Sequence, residues 1–155
     1  MTMRPFARTL PFSEALQIIL EAAAPIVRTE SVALTEADGR VAARDLVALI
    51  DVPPFDRAAM DGYAVVAADT ASAGPGAPAT LVCVDRLFTG QVPSRRIARG
   101  ECIEISTGAP MPPGADAVVM VEETSRDGGR VRVARSVAPR EHVGPRAADI
   151  AAGQT

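Results

Sequence analysis

The sequence predicts an α+β chain rich in strand: an N-terminal amphipathic helix, then short strands, with its middle a compact barrel-like or sandwich unit. Three observations predict this. One segment near the N-terminus has helical periodicity. About six to eight later segments are short β-branched runs bounded by Gly, Pro or Asp. Aromatic residues make up 3% of a chain that is 48% hydrophobic, so the core must be built from Val, Ile, Leu and Ala. The 12 glycines and 13 prolines predict short elements and many turns.

Residues 11–24 read as the helix. Phe12, Leu16, Ile19, Leu20 and Ala23 recur at helical spacing, with Glu14, Gln17 and Glu21 opposite. Pro11 suits a first turn and Pro25 stops the helix. Residues 31–34 read as a short strand. A turn follows, with Thr35 as N-cap and Gly39 as stop. Residues 40–50 predict a further strand. Strands follow at 63–66, 80–88, 100–106 and 115–122, with a Gly/Pro/Ala loop over 71–79. Residues 130–134 form the second arm of a hairpin around Asp127-Gly128-Gly129. No internal repeat is visible, and the final stretch does not complete an element.

Composition removes several function classes. The formal net charge is −3, without the basic stripe of a nucleic-acid binder. No apolar run approaches the ~20 residues of a membrane span. The N-terminal stretch has Arg4 and Arg8 but no apolar h-region, so no secretory signal is read. Cys83 and Cys102 lie in apolar strands and read as reduced core thiols of a cytoplasmic protein. All 16 basic residues are arginine. Without lysine there is no P-loop lysine, Schiff base or lysine-borne carrier group. The single histidine, His142, reads as a surface residue, and two Cys with one His do not make a zinc site. Chemistry must rest on carboxylates, hydroxyls, arginines and backbone amides.

Three segments could supply it, each open to two readings. Asp51–Val65 holds prolines that pre-set the backbone and an Asp61-Gly62 turn; it either presents a carboxylate to a metal or oxyanion, or is a turn with Phe55, Met60 and Tyr63 packing. Ile105–Pro113 runs from a strand into Ser106-Thr107-Gly108; its hydroxyls and amides either cradle an anion or satisfy local backbone groups. Arg146–Asp149 is either a functional pair or a local ion pair or cap. Arg95 and Arg96 read as solvated.

These segments occur together and in order. The run DVPPFDRAAMDGYAV resembles the signature of the molybdopterin molybdenumtransferase family, and ISTGAPMPPGADAVVMVE resembles that family's next block. The opening helix with Ala15-Leu16, and LTEADGRVAARDLVA, are also similar. The family includes the bacterial MoeA-type enzymes and the E domain of gephyrin. One block departs: where the family carries Gly-Glu before an aspartate, this chain has Ala147-Ala148 before Asp149.

The resemblance implies a homodimer of four-domain subunits, of which this chain supplies the first two. Residues 1–45 and 143–155 would form an elongated linker and dimerisation domain, incomplete at its C-terminus. Residues 46–142 would form an inserted β-rich domain carrying the motif loops. The implied reaction inserts molybdenum from molybdate into adenylylated molybdopterin and releases AMP, with Mg2+ assisting. The substrate would come from a molybdopterin adenylyltransferase; no nucleic acid or membrane partner is implied. Asp61, Thr107 and Asp149 match functional positions: Asp61 for the cation, Thr107 with the amides near Gly108 for an oxyanion, Asp149 for a neighbouring loop. Phe55, Met60, Gly62, Tyr63, Ser106, Gly108 and Arg146 would complete the substrate loops. The alternative is a non-catalytic dimerisation or scaffold module of the same family.

Overall fold

The computed structural model describes residues 9–155. The N-terminal stretch read for a secretory signal lies mostly outside them. By packing, the chain divides at Arg44, with Asp45–Thr155 forming the second unit.

In the first unit, helix α1 runs Phe12–Ala22, two residues short of the predicted end. Pro11 caps it with φ −56 and ψ 148, so its missing N–H costs no helical hydrogen bond. The Ala23 N–H closes the last turn on Ile19 O at 2.9 Å. No side chain of α1 is buried, and Phe12, Ile18, Ile19 and Leu20 are at least half exposed. A single 3-10 turn follows at Leu34–Glu36, and Gly39 turns the chain at φ +74. The strands expected at 31–34 and 40–50 do not form. A strand is held by its ladder, and neither segment has a ladder partner among the described residues. Thr35 is not the cap either: Ala33 holds that place without a side-chain bond.

The second unit is built on strands β1 (Arg57–Ala58), β2 (Gly62–Val65), β3 (Ala79–Leu87), β4 (Glu101–Ile105), β5 (Ala117–Met120), β6 (Thr124–Asp127), β7 (Arg130–Val133) and β8 (Val143–Gly144). Six of them form one sheet in the order β5-β2-β4-β3-β7-β6, curled into a half-barrel; β1 and β8 pair separately. The β3–β4 pair is parallel, and the other pairs are antiparallel. The predicted hairpin forms, with Asp127 opposite Arg130 around Gly128 and Gly129.

Apolar residues cover both faces of the central strands. Tyr63, Val65, Cys102, Ala117, Val119, Val131 and Val133 pack on one side. Ala64, Leu87, Ile103, Ile105 and Val118 pack on the other. All of β2 is therefore buried. Each large aliphatic side chain removed from water contributes about 1.5–3 kcal/mol. This two-sided core fixes the strand ends, and the motif loops grow from those ends. No helix among the described residues is long and apolar enough to cross a membrane.

Candidate functional site

Asp61 stands immediately before β2, and glycine chemistry puts it there. Gly62 pairs with Met120 of β5 on one side and Ile105 of β4 on the other. A Cβ at Gly62 would lie 1.9 Å from Val119 O, so only glycine allows β2 this close to β5. The Asp61 carbonyl accepts the Val121 N–H at 3.1 Å, which ties the residue to the end of β5.

Thr107 follows β4 by two residues, in a turn closed by Gly108 at φ +83. That left-handed conformation suits glycine. The Gly108 N–H donates to Ala58 O, and the Ala58 N–H donates to Ala109 O, both at 2.9 Å. The turn is thus stitched to β1.

The two motif residues meet. Thr107 donates its backbone N–H to Asp61 Oδ1 at 2.7 Å and its hydroxyl to the same oxygen at 2.9 Å. The Thr107 N–H first, and its hydroxyl second, hold the Asp61 carboxyl below the usual carboxylate range. Both bonds land on one oxygen, leaving Oδ2 out of the pair. Beside it lies a depression of about 290 Å³ lined by Asp61, Tyr63, Phe88, Glu104 and Ser106, among others.

This arrangement changes the expected division of labour. The donors expected to cradle an oxyanion are already committed: Thr107 to Asp61, and the Gly108 amide to Ala58. The turn orients a carboxylate rather than offering a nest of free amides.

The remaining predicted residues fall in two places. Phe55 and Met60 are about two-fifths exposed on the loop before β2, at 42% and 43%. Tyr63 is buried in the core and also lines the depression. Ser106 is half-buried and accepts the Thr89 N–H at 3.1 Å. Arg146 and Asp149 do not pair with each other. Arg146 bonds Asp51 through Nε, and its N–H donates to Asp56 Oδ1 at 2.8 Å. Asp149 is exposed, with its N–H on Val52 O at 2.9 Å. Among the described residues, no hydrogen bond joins the Asp149 side chain to Asp61 or Thr107.

Asp51 and Asp56 therefore hold the C-terminal stretch in place. Asp51 also accepts the Ala152 N–H at 2.8 Å, and Asp56 bonds the Arg140 guanidinium. His142 is half-buried rather than a free surface residue, and its Nδ1–H donates to Val118 O at 3.0 Å. Arg95 and Arg96 are exposed, as expected, and Arg95 also pairs with Glu101 at 3.2 Å.

Among the described residues, no group of three or more His, Cys, Asp or Glu gathers as a metal nest. Mg2+ does not require one. It keeps several waters and is commonly held by one or two carboxylates plus substrate phosphate oxygens. Asp61, with Oδ2 outside the Thr107 pair, fits one such ligand.

The chain matches the family described as the MoeA N-terminal region, domain I and II, over residues 10–155. It is 38% identical over 128 residues to molybdopterin molybdenumtransferase 2 of Mycobacterium tuberculosis, covering 83% of this chain and 32% of that protein. It is 32% identical over 146 residues to the molybdopterin molybdenumtransferase of Synechococcus elongatus, covering 93% of this chain and 36% of that one. The fold is similar to the crystal structure of the molybdopterin biosynthesis moeA protein of Pyrococcus horikoshii OT3. The TM-score is 0.87 at 39% identity, over 96% of this chain and 39% of that chain. The chain spans about a third of the length of these curated relatives.

Proposed function

This chain belongs to the family of MoeA N-terminal regions, and from that premise we propose that it supplies the Asp61 half-site of a molybdenum-inserting transferase. The parent enzyme takes molybdate and adenylylated molybdopterin, places molybdenum on the dithiolene and releases AMP. It works as a cytoplasmic homodimer, and a molybdopterin adenylyltransferase supplies its substrate. Residues outside this chain complete the cleft.

One observation carries this reading: an exposed carboxylate fixed through a single oxygen by a neighbouring residue's N–H and hydroxyl. Both bonds fall on Oδ1, so Oδ2 is outside the pair that holds the turn. A pre-oriented, ionised carboxylate at the mouth of a depression suits the binding of a hydrated cation beside a phosphoester. Mg2+ held there would neutralise developing charge on the phosphate oxygens. Thr107 acts by orienting Asp61 and keeping it deprotonated. Arg146, bound to Asp51, holds the loop that carries Asp149.

The test uses the full-length parent. Asp61→Asn should cut molybdenum insertion by about a hundredfold, the size of effect expected when a charge-stabilising group is lost. The cooperative melt should be kept, with only a small fall in melting temperature from the weakened Thr107 bonds. Wild-type insertion by the variant, or a lost cooperative melt, defeats the reading.

A second reading keeps one observation in its favour. Phe12, Ile18, Ile19 and Leu20 of α1 are exposed apolar residues, as a docking helix would show. In that reading the chain is a dimerisation or scaffold module without catalysis. Mixing this chain with a separately expressed C-terminal remainder separates the two. Insertion restored by the wild-type chain but not by Asp61→Asn favours the enzyme; a complex formed without insertion favours the scaffold.

A further inference from the structure

Thr107 is held at both ends. Its N–H and hydroxyl reach Asp61, while its carbonyl accepts the Thr89 hydroxyl at 2.7 Å. Thr89 lies just beyond the end of β3, outside every motif described above. Its backbone N–H donates to Ser106 Oγ at 3.1 Å, and the two hydroxyl oxygens stand 3.4 Å apart. The Ser106 N–H donates to Leu87 O at 3.1 Å, extending the parallel β3–β4 pairing into the turn. A Cβ on Gly108 would meet Thr89 Oγ1 at 3.4 Å, so the Thr89 side chain lies directly against the turn glycine.

Thr89 is exposed. Water would satisfy its hydroxyl in any outward rotamer, and no burial forces it onto a carbonyl. Stability alone therefore gives little reason for this bond. Its effect is to fix the peptide plane that follows Thr107, and so to limit rotation of the residue that grips Asp61. The line Thr89–Thr107–Asp61 joins the ends of β3 and β4 to the start of β2.

We propose that Thr89 is a positioning residue for the proposed reaction, clamping the Ser106-Thr107-Gly108 turn so that Thr107 holds the Asp61 carboxylate in its working orientation. This rests on the reading of Asp61 given above. Thr89 touches no reacting atom; it acts through Thr107. Valine in its place keeps the shape and removes the hydroxyl, while serine keeps the hydroxyl.

Two measurements test the clamp. The first is the titration of the Asp61 carboxyl by carbon NMR in this chain. Thr89→Val should move its midpoint upward, because a loosened Thr107 donates less well, and Thr89→Ser should leave it in place. The second is insertion kinetics in the full-length parent. Thr89→Val should lower kcat by about tenfold, in line with a small misplacement of a catalytic group, with KM for molybdate changed less than about twofold. Thr89→Ser should restore kcat. An Asp61 midpoint that does not move in Thr89→Val, or a serine variant as impaired as the valine one, overturns the clamp. Asp61→Asn in parallel keeps the two ideas apart: insertion that survives it removes the proposed function, and the titration alone then decides the clamp.

Discussion

Arg146 bonds Asp51 across 95 positions of sequence, and one residue later the Ala147 N–H donates to Pro53 O at 2.9 Å. The C-terminal stretch is thereby sewn onto the loop that leads to Asp61. Asp56 completes the seam from the same loop, accepting the Arg146 N–H and the Arg140 guanidinium.

That seam predicts acid sensitivity. The Ala152 N–H first, with Arg146 second, lowers the Asp51 carboxyl; the Arg140 guanidinium first, with the Arg146 N–H second, lowers Asp56. Each folded-state value lies below the ordinary 3.8. Such groups stabilise the fold fully above the unfolded value, and the stabilisation is lost as pH falls through the folded one. Urea midpoints should therefore fall as pH drops below about 4. Asp56→Asn should flatten that slope while lowering the midpoint near pH 7. An unchanged slope would mean that the Asp56 bonds do not form in solution.

Gly62 makes a sharper prediction. A methyl group there would meet the Val119 carbonyl at 1.9 Å, and a backbone atom between two strands cannot swing aside. Gly62→Ala should cost about 3 kcal/mol or more, at or beyond the upper end of overpacking effects. The thermal melt would show it as a fall of many degrees. Gly74, whose Cβ would meet nothing within 4 Å, is the control that should tolerate alanine.

Local pattern and distant partner separate what the sequence reveals from what it hides. Helix α1, β3, the hairpin and both motif turns are legible because each is coded within a few residues, by periodicity or by Gly and Pro placement. The strands expected at 31–34 and 40–50 show the limit of that code. Val and Leu there fit a strand, but a strand exists only with a partner, and pairing is not written locally. The site divides in the same way. Asp61 and Thr107 are visible within their motifs, yet their contact spans 46 positions. Asp56 lies inside a motif, but its bond to Arg140 spans 84 positions and has no local signature. Thr89 is an ordinary turn residue until β3 and β4 are laid side by side.

The two cysteines should react at different rates. Cys83 and Cys102 face each other in the parallel β3–β4 register, and both are free thiols. Cys102 is fully buried; burial, with Cys83 beside it as the next cause, pushes its thiol up to about 12. Only the thiolate is nucleophilic, so Cys102 should stay silent near pH 8. Cys83 is half-buried and should take iodoacetamide first. Mass spectrometry of a labelling time course should show a single adduct on Cys83, and a second only on unfolding. Early labelling of Cys102 would show that β4 opens locally.

Ala147 falls where the backbone resists a Cβ. Ala147 has φ +59, in the left-handed region that costs a residue with a Cβ about 1–2 kcal/mol. Its conformation is imposed from both sides, by the Arg146 N–H on Asp56 and by its own N–H on Pro53. Glycine at this position removes the steric cost but frees the unfolded chain, which offsets about 0.4–1 kcal/mol of the gain. The left-handed penalty is the larger of the two effects, so Ala147→Gly should be net stabilising by about 0.5–1 kcal/mol, or a rise of roughly 2 °C in Tm. Ala147→Val, β-branched at the same φ, should destabilise the chain. If Ala147→Gly lowers Tm instead, the residue does not hold this conformation in solution, and the loop carrying Asp149 is set by something other than the Asp51–Asp56 seam.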